Sequence, residues 1–333
     1  MSEASSHPPR PIAGRLHDVW ERPVKDLVLL PTPEITAAQQ ERHTLYSLLV
    51  MALVAFYWNG NKRGGEGEYP WRAGQRRQGG HGYVGGDYLG HNIACIAVDG
   101  TGAVIDFDFN HNDLLNSSVE HAESRLVRRV FSLTQIYDDW ATRSPSDPPK
   151  SVSYSNLLSE VTIYTSLESC SQCSGIMALG SVKDVVFLHR DPGQSSIGNI
   201  LRNLSPVGGR YMPPLPIPGD SFGLAAFATL EREYARFERE VGDRPFHVPP
   251  VGKPDKSPSI TSFLCTDEAL AVFAEGGWQL EAMTSVQHPQ FVPACSNGET
   301  MAATMPNADV LEHVKRFYRY ATTSGRRGTP HKL

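Results

Sequence analysis

"SLESCSQCSG", Ser166 to Gly175, places Cys170 and Cys173 two residues apart. Its flanks decide how the chain folds here. Upstream, "SEVTIYTSLES" is patterned as a strand, and downstream "CSQCSGIMALG" has helical spacing that Gly180 can terminate. The pair therefore opens a helix directly after a strand. A helix N-terminus lowers thiol pKa values, so this position suits a redox dithiol and a pair of thiolate metal ligands alike. Spacing alone leaves three readings open: a redox pair, half of a structural zinc knuckle, or part of a catalytic metal site.

Working outward, "VKDVVFLHR" is a second strand, bounded by Asp191-Pro192-Gly193. After a Pro- and Gly-rich connection, "FGLAAFATLEREYARFEREVG" carries Leu224, Phe227, Leu230, Tyr234, Phe237 and Val241 on one helical stripe. On the N-terminal side, "HNIACIAVDGTGAVIDFDFN" predicts a hairpin turning at Asp99-Gly100-Thr101-Gly102. Helical spacing returns in "SSVEHAESRLVRRVFSLTQIYDDW", with Ser117 or Ser118 placed to cap it. "PTPEITAAQQERHTLYSLLVMALVAFYWNG" predicts a long helix with Thr32 as N-cap, Pro33 in its first turn and Gly60 at its end. Its second half is apolar all round and should be central. The order helix, hairpin, helix, strand, helix, strand, helix predicts an α/β layer with helices against a sheet.

Residues 1–31, rich in Pro, Ser and His, are expected to form a mobile arm. Residues 32–245 form one domain, with a Gly-, Arg- and aromatic-rich insertion at 61–90. Residues 246–333 form an extension with two helices, near Thr266 to Ala274 and Asn307 to Thr322. No internal repeat is present.

The chain has 333 residues and an apolar fraction of 40%, enough for a substantial core. Five cysteines are too few and too unevenly placed for a disulfide framework, which points to a reducing compartment, the cytoplasm. "MSEASSHPPRPIAGR" lacks the basic and apolar segments of a secretory signal, and "LYSLLVMALVAFYW" is too short to span a bilayer. No membrane association is expected. The net charge of -5 gives no global attraction to nucleic acid, so any such binding must be local.

A second CxxC or an HxxxH would complete a four-ligand structural site, and the chain has neither. Ser171-Gln172 between the cysteines, well into the fold, argues against a thioredoxin-like dithiol. What the chain does have is "EHAES", with His121 and Glu123 at the start of the preceding helix. A catalytic zinc site needs three protein ligands and one open position, and His121, Cys170 and Cys173 supply that count. Glu123 would sit beside the metal without binding it and move a proton. H-x-E followed by P-C-x-x-C is the known pattern of zinc deaminases, and this chain resembles it except at the proline.

On these residues the stretch from about Glu34 to Val241 resembles the cytidine deaminase-like superfamily. "CSQCSGIMALGSVKDVVFLHRDPGQSSIG" looks most like the tRNA adenosine deaminase and related nucleic-acid base deaminase branch. The resemblance implies a three-layer α/β/α fold with a mixed central sheet, followed by a small, mainly helical C-terminal region. It implies one zinc per chain and hydrolytic deamination of adenine or cytosine, with a zinc-activated water attacking the amine-bearing carbon. Asn110 falls where that branch places a base-binding Asn, although a turn Asn bonded to its own backbone fits the same position. The Ala122 backbone amide and Ser169 would also contact the base, and relatives often form homodimers. The pattern breaks at Ser169, where the superfamily has proline; serine removes no ligand and could cap the helix that follows.

For the substrate, Lys62, Arg63, Arg72, Arg76 and Arg77 interleave with Trp71 and Tyr83 in the insertion. That mixture could neutralise phosphates and stack unpaired bases, and a solvated insertion would look the same. Three functions follow: deamination within single-stranded regions of RNA or DNA, deamination of a free nucleoside, nucleotide or base, and an inactive zinc-binding interaction module.

Overall fold

The computed structural model describes residues 23–29, 34–58, 71–72, 90–112, 115–139, 157–194, 196–205, 212–242, 247–248, 259–294 and 304–323. The first long helix, α1, spans Ala37–Phe56. Thr36 caps it, accepting from the Gln39 amide, while the Gln39 side chain accepts from the Thr36 amide. This reciprocal capping box satisfies two otherwise orphan donors, which is why the helix starts here rather than after Thr32. Thr32, Pro33 and Gly60 lie outside the described residues. The helix ends at Phe56, before Gly60, and the Tyr57 hydroxyl next to it donates to the Ala321 carbonyl. Leu45 to Val54 are all buried, as a segment apolar on every side must be.

Five strands form one sheet: β1 (Ala94–Val98), β2 (Val104–Phe109), β3 (Thr162–Thr165), β4 (Asp184–Phe187) and β5 (Leu215–Pro218), in the order β2-β1-β3-β4-β5. β1 runs antiparallel to both β2 and β3, whereas β3, β4 and β5 are mutually parallel. The longer helices that follow are α2 (Ala122–Asp139), α3 (Ser171–Leu179), α4 (Ile197–Leu204), α5 (Ala225–Gly242), α6 (Asp267–Ala282) and α7 (Asn307–Thr323), with single turns of helix at Val24–Leu27 and Ile260–Phe263. The hairpin turns where expected. The Asp99 carboxylate accepts from the Thr101 and Ala103 amides at 2.9 Å each, and Gly102 takes φ +88°, a left-handed value that glycine adopts without strain.

Alternation along β2 shows the layers. The rings of Phe107 and Phe109 pack at a tilt against Tyr57, and Phe107 also meets Phe317 of α7 edge-on. Asp106 and Asp108 point the other way and bind Arg129 of α2. Successive residues of a strand face opposite sides, so α1 and α7 cover one face and α2, with α3 against it, covers the other. This is the expected three-layer α/β/α arrangement with a mixed sheet.

Two elements were hidden in the sequence. β5 reads "LPIP", and its prolines are tolerated because it is an edge strand with β4 as its single partner. α4 follows the Pro-Gly punctuation after β4. By contrast, all six apolar positions of the α5 stripe are buried. The two C-terminal helices pack on α1, and their apolar faces merge with the main core. Gly276 lets α6 approach closely, since a Cβ there would come within 2.5 Å of Met51. Arg42 of α1 donates to the Met305 carbonyl and the Asn307 side chain, tying the start of α7 to the domain. Trp71–Arg72 forms a two-residue parallel ladder with His247–Val248. Among the described residues no helix is long and apolar enough to cross a membrane.

One core histidine makes stability depend on pH. His43 packs between the rings of Tyr164 and Phe222, with Nδ1 3.0 Å from the Tyr164 hydroxyl. Burial, aided by the Arg42 charge, pushes its pKa down to about 4. Below the ordinary value near 6.5 the unfolded chain binds a proton that the folded chain refuses, so stability falls as pH drops from that value toward 4. The loss attributable to His43 is roughly 3 kcal/mol. Urea denaturation at pH 7 and pH 4 should show His43→Gln losing less stability than the parent by about that amount; equal losses would contradict it.

Candidate active site

The site is built at the ends of β3 and α2. α2 begins at Ala122, and the His121 carbonyl accepts the first intrahelical bond, from the Arg125 amide at 3.0 Å. His121 therefore stands at the helix mouth, and neither Ser117 nor Ser118 caps it. Residues 115–120 are spent on turns, in which the Ser117 hydroxyl accepts from the Val119 amide.

At the end of β3 the chain turns into α3, whose N-cap residue is Cys170, with its carbonyl accepting from Ser174 at 2.8 Å. The Cys170 side chain makes no capping bond and points to His121 instead, Sγ to Nδ1 at 3.3 Å. Cys173, one turn on, brings its Sγ to 3.6 Å from the same nitrogen. The Gln172 side chain holds the two helix starts together by donating to the Val119 carbonyl at 2.9 Å.

The three ligand atoms lie within 4.8 Å of one another. In a tetrahedral zinc site with Zn–S ~2.3 Å and Zn–N ~2.0 Å, adjacent N and S donors are separated by roughly 3.6 Å. The observed spacings match that edge, and one nitrogen with two sulfurs is a donor set suited to zinc. Cys173 is fully buried, while Cys170 and His121 are half-buried, so the group is open on one side. A hydrogen bond from Cys173, assisted by His121, pulls the Cys170 thiol down to about 4. Donating that bond, together with burial, drives the Cys173 thiol far up.

Glu123 lies in the first turn of α2 and is buried beside the trio. Its Oε1 accepts from the Thr165 hydroxyl at 3.0 Å and the Ser169 hydroxyl at 3.3 Å, and its Oε2 lies 3.4 Å from the Cys173 sulfur. Burial raises its pKa above the ordinary carboxylate value. Ser169 thus does not cap α3; its hydroxyl is committed to Glu123.

The candidate substrate contacts fall at the same end of the sheet. Ala122 is fully buried, and as the first residue of α2 its amide has no acceptor within the helix. Asn110 follows β2, whose Phe109 pairs with Ala94 of β1, and the Ala94 carbonyl accepts from Ser166 at the end of β3. Asn110 Oδ1 accepts from the Asn112 amide at 3.1 Å, the turn bond a local role predicts. The bond occupies only the carbonyl oxygen, and the side-chain amide hydrogens are left for another acceptor. Lys62, Arg63, Arg76, Arg77 and Tyr83 lie outside the described residues, and Trp71 and Arg72 are placed only through the backbone ladder.

Thr165 and Glu168 were not picked out from the sequence. Glu168 is buried, accepts from the Asp191 amide at 3.0 Å, and is pushed up to about 7 by that burial. Neither residue has a periodic or motif signal; both depend on which strands pair. A cavity of about 240 Å³ sits at the opposite end of the sheet, against Val98, Thr162 and Asp184. Several of its polar walls are already bonded among themselves or to the backbone: His43 to Tyr164, Lys183 to Glu160, and Tyr46 to the Gly102 carbonyl. It is no rival for the chemistry.

No family model matches the chain, and no curated protein sequence does. Solved structures do show weak likenesses. One comes from biochemical and structural studies of A-to-I editing by tRNA:A34 deaminases, at 19% identity, covering 38% of this chain and 82% of that one with a TM-score of 0.28. A guanine deaminase from Nitrosomonas europaea shows 22% identity over 44% of this chain and 74% of its own, with a TM-score of 0.28. A bifunctional diaminohydroxyphosphoribosylaminopyrimidine deaminase and reductase from Thermotoga maritima shows 14% identity over 58% of this chain and 42% of its own, with a TM-score of 0.29. Each of the three is described as a deaminase.

Proposed function

We propose that the chain is a zinc-dependent nucleobase deaminase of the cytidine deaminase-like superfamily, acting on adenine or cytosine within RNA or DNA. The observation that supports this most strongly is the convergence of His121, Cys170 and Cys173 at tetrahedral spacing with a buried carboxyl, Glu123, against them. His121, Cys170 and Cys173 would hold the metal, which when bound supplies a Lewis acid that makes water a nucleophile near neutral pH.

The chain's own groups then move protons and orient the base. Glu123 takes a proton from the attacking water and delivers it to the amine as the bond from ring carbon to nitrogen breaks. Oxygen replaces nitrogen on the ring and ammonia leaves. The raised pKa of Glu123 suits the delivery, since the proton is held until the leaving group needs it. The amide hydrogens of Asn110 and the backbone amide of Ala122 would be the donors that orient the ring.

The nucleic-acid part of the proposal rests on Lys62, Arg63, Arg72, Arg76 and Arg77 interleaved with Trp71 and Tyr83. It predicts salt-sensitive binding to single strands that is lost when the five cations are replaced by glutamine together. Turnover of a free nucleoside with no affinity for oligonucleotide would move the substrate to the monomer class and leave the chemistry intact.

A further inference from the structure

We infer that Thr165 and Ser169 are positioning residues whose hydroxyls hold Glu123 back from the metal and so keep the fourth coordination position open. The inference rests on the metal-centre reading above. Glu123 Oε2 is 3.4 Å from the sulfur of a metal ligand, and a carboxylate that close is itself a good zinc donor. If it bound, four protein ligands would close the site and leave no place for water.

Two hydroxyls oppose that movement by converging on the other carboxylate oxygen. Thr165 is fully buried on β3, fixed by its pairing with Cys95 of the adjacent strand, and its β-branched side chain has little freedom about χ1. Ser169, itself buried, donates from the segment that leads into Cys170. A proline at 169 has no hydrogen to give, so the serine adds a second anchor to Glu123. The departure from the deaminase pattern is thus integrated with the proton-carrying group, and nothing about it marks the site as degenerate.

The test uses the full chain with cobalt(II) as the metal and azide as the probe, read by visible absorption. The parent should bind one cobalt, and azide should perturb its bands by occupying the open position. Thr165→Val/Ser169→Ala should still bind one cobalt, with azide affinity at least tenfold weaker because Glu123 has taken that position. Adding Glu123→Ala to the pair should restore the azide response. Thr165→Ser, which keeps a hydroxyl, should behave as the parent. Ser169→Ala alone should weaken azide several-fold and provides the reading if the double variant does not fold. An azide titration of the double variant, or of Ser169→Ala alone in that event, that overlays the parent's overturns the inference and spares the metal centre. Failure of the parent to bind cobalt overturns the metal centre itself, and the inference with it.

Discussion

Replacing Glu123 by glutamine should leave zinc bound at one per chain and lower turnover by about 10²–10⁴-fold, the usual contribution of a positioned general acid–base group. Glutamine keeps the shape and an oxygen for the Thr165 and Ser169 hydroxyls but can neither accept nor return the proton. The side chains proposed to hold the metal are others, so metal content and turnover should separate cleanly. Metal analysis beside ammonia release checks both halves. Full activity in the variant would remove Glu123 from the mechanism, and loss of zinc would make it a ligand.

Removing a ligand should do the opposite, coupling metal loss to stability. His121→Ala or Cys170→Ala leaves two donors of three, and zinc should be absent from the purified protein. In the parent, zinc at a thousand times its dissociation constant adds about 4 kcal/mol to the folded state. For a chain of this size that is on the order of 10 °C in Tm. A chelator should therefore lower the Tm of the parent by about that much and leave the ligand variants unmoved. The trio joins the mouths of α2 and α3, whose starts the sequence separates by about fifty residues and which the Gln172 side chain also bridges. A parent protein whose Tm ignores the chelator would contradict the metal centre.

The candidate metal ligands are legible in the sequence because their spacing is local: His121 and Glu123 share one helix mouth, Cys170 and Cys173 another. Strong periodicity made the hairpin, the α5 stripe and both C-terminal helices equally plain. What stayed hidden depends on long-range pairing. β5 is half proline and becomes a strand only because β4 offers it an edge. Thr165 matters only because β3 ends beside α2, and Ser169 changes from a candidate cap to a partner of Glu123 once Cys170 takes the N-cap place. The start of α1 was misplaced because Thr32-Pro33 carries a plausible local signal, while the capping box at Thr36 and Gln39 supplies two actual hydrogen bonds.

In the function proposed, these residues remove an exocyclic amine from a nucleobase. The most direct measurement incubates the zinc-loaded protein with single-stranded and double-stranded DNA, RNA and free nucleosides, and follows ammonia release together with mass spectrometry of the bases. Conversion of adenine to hypoxanthine or cytosine to uracil, dependent on zinc and lost in Glu123→Gln, is the predicted result. A protein that carries one zinc per chain and releases no ammonia from any of these substrates would contradict it.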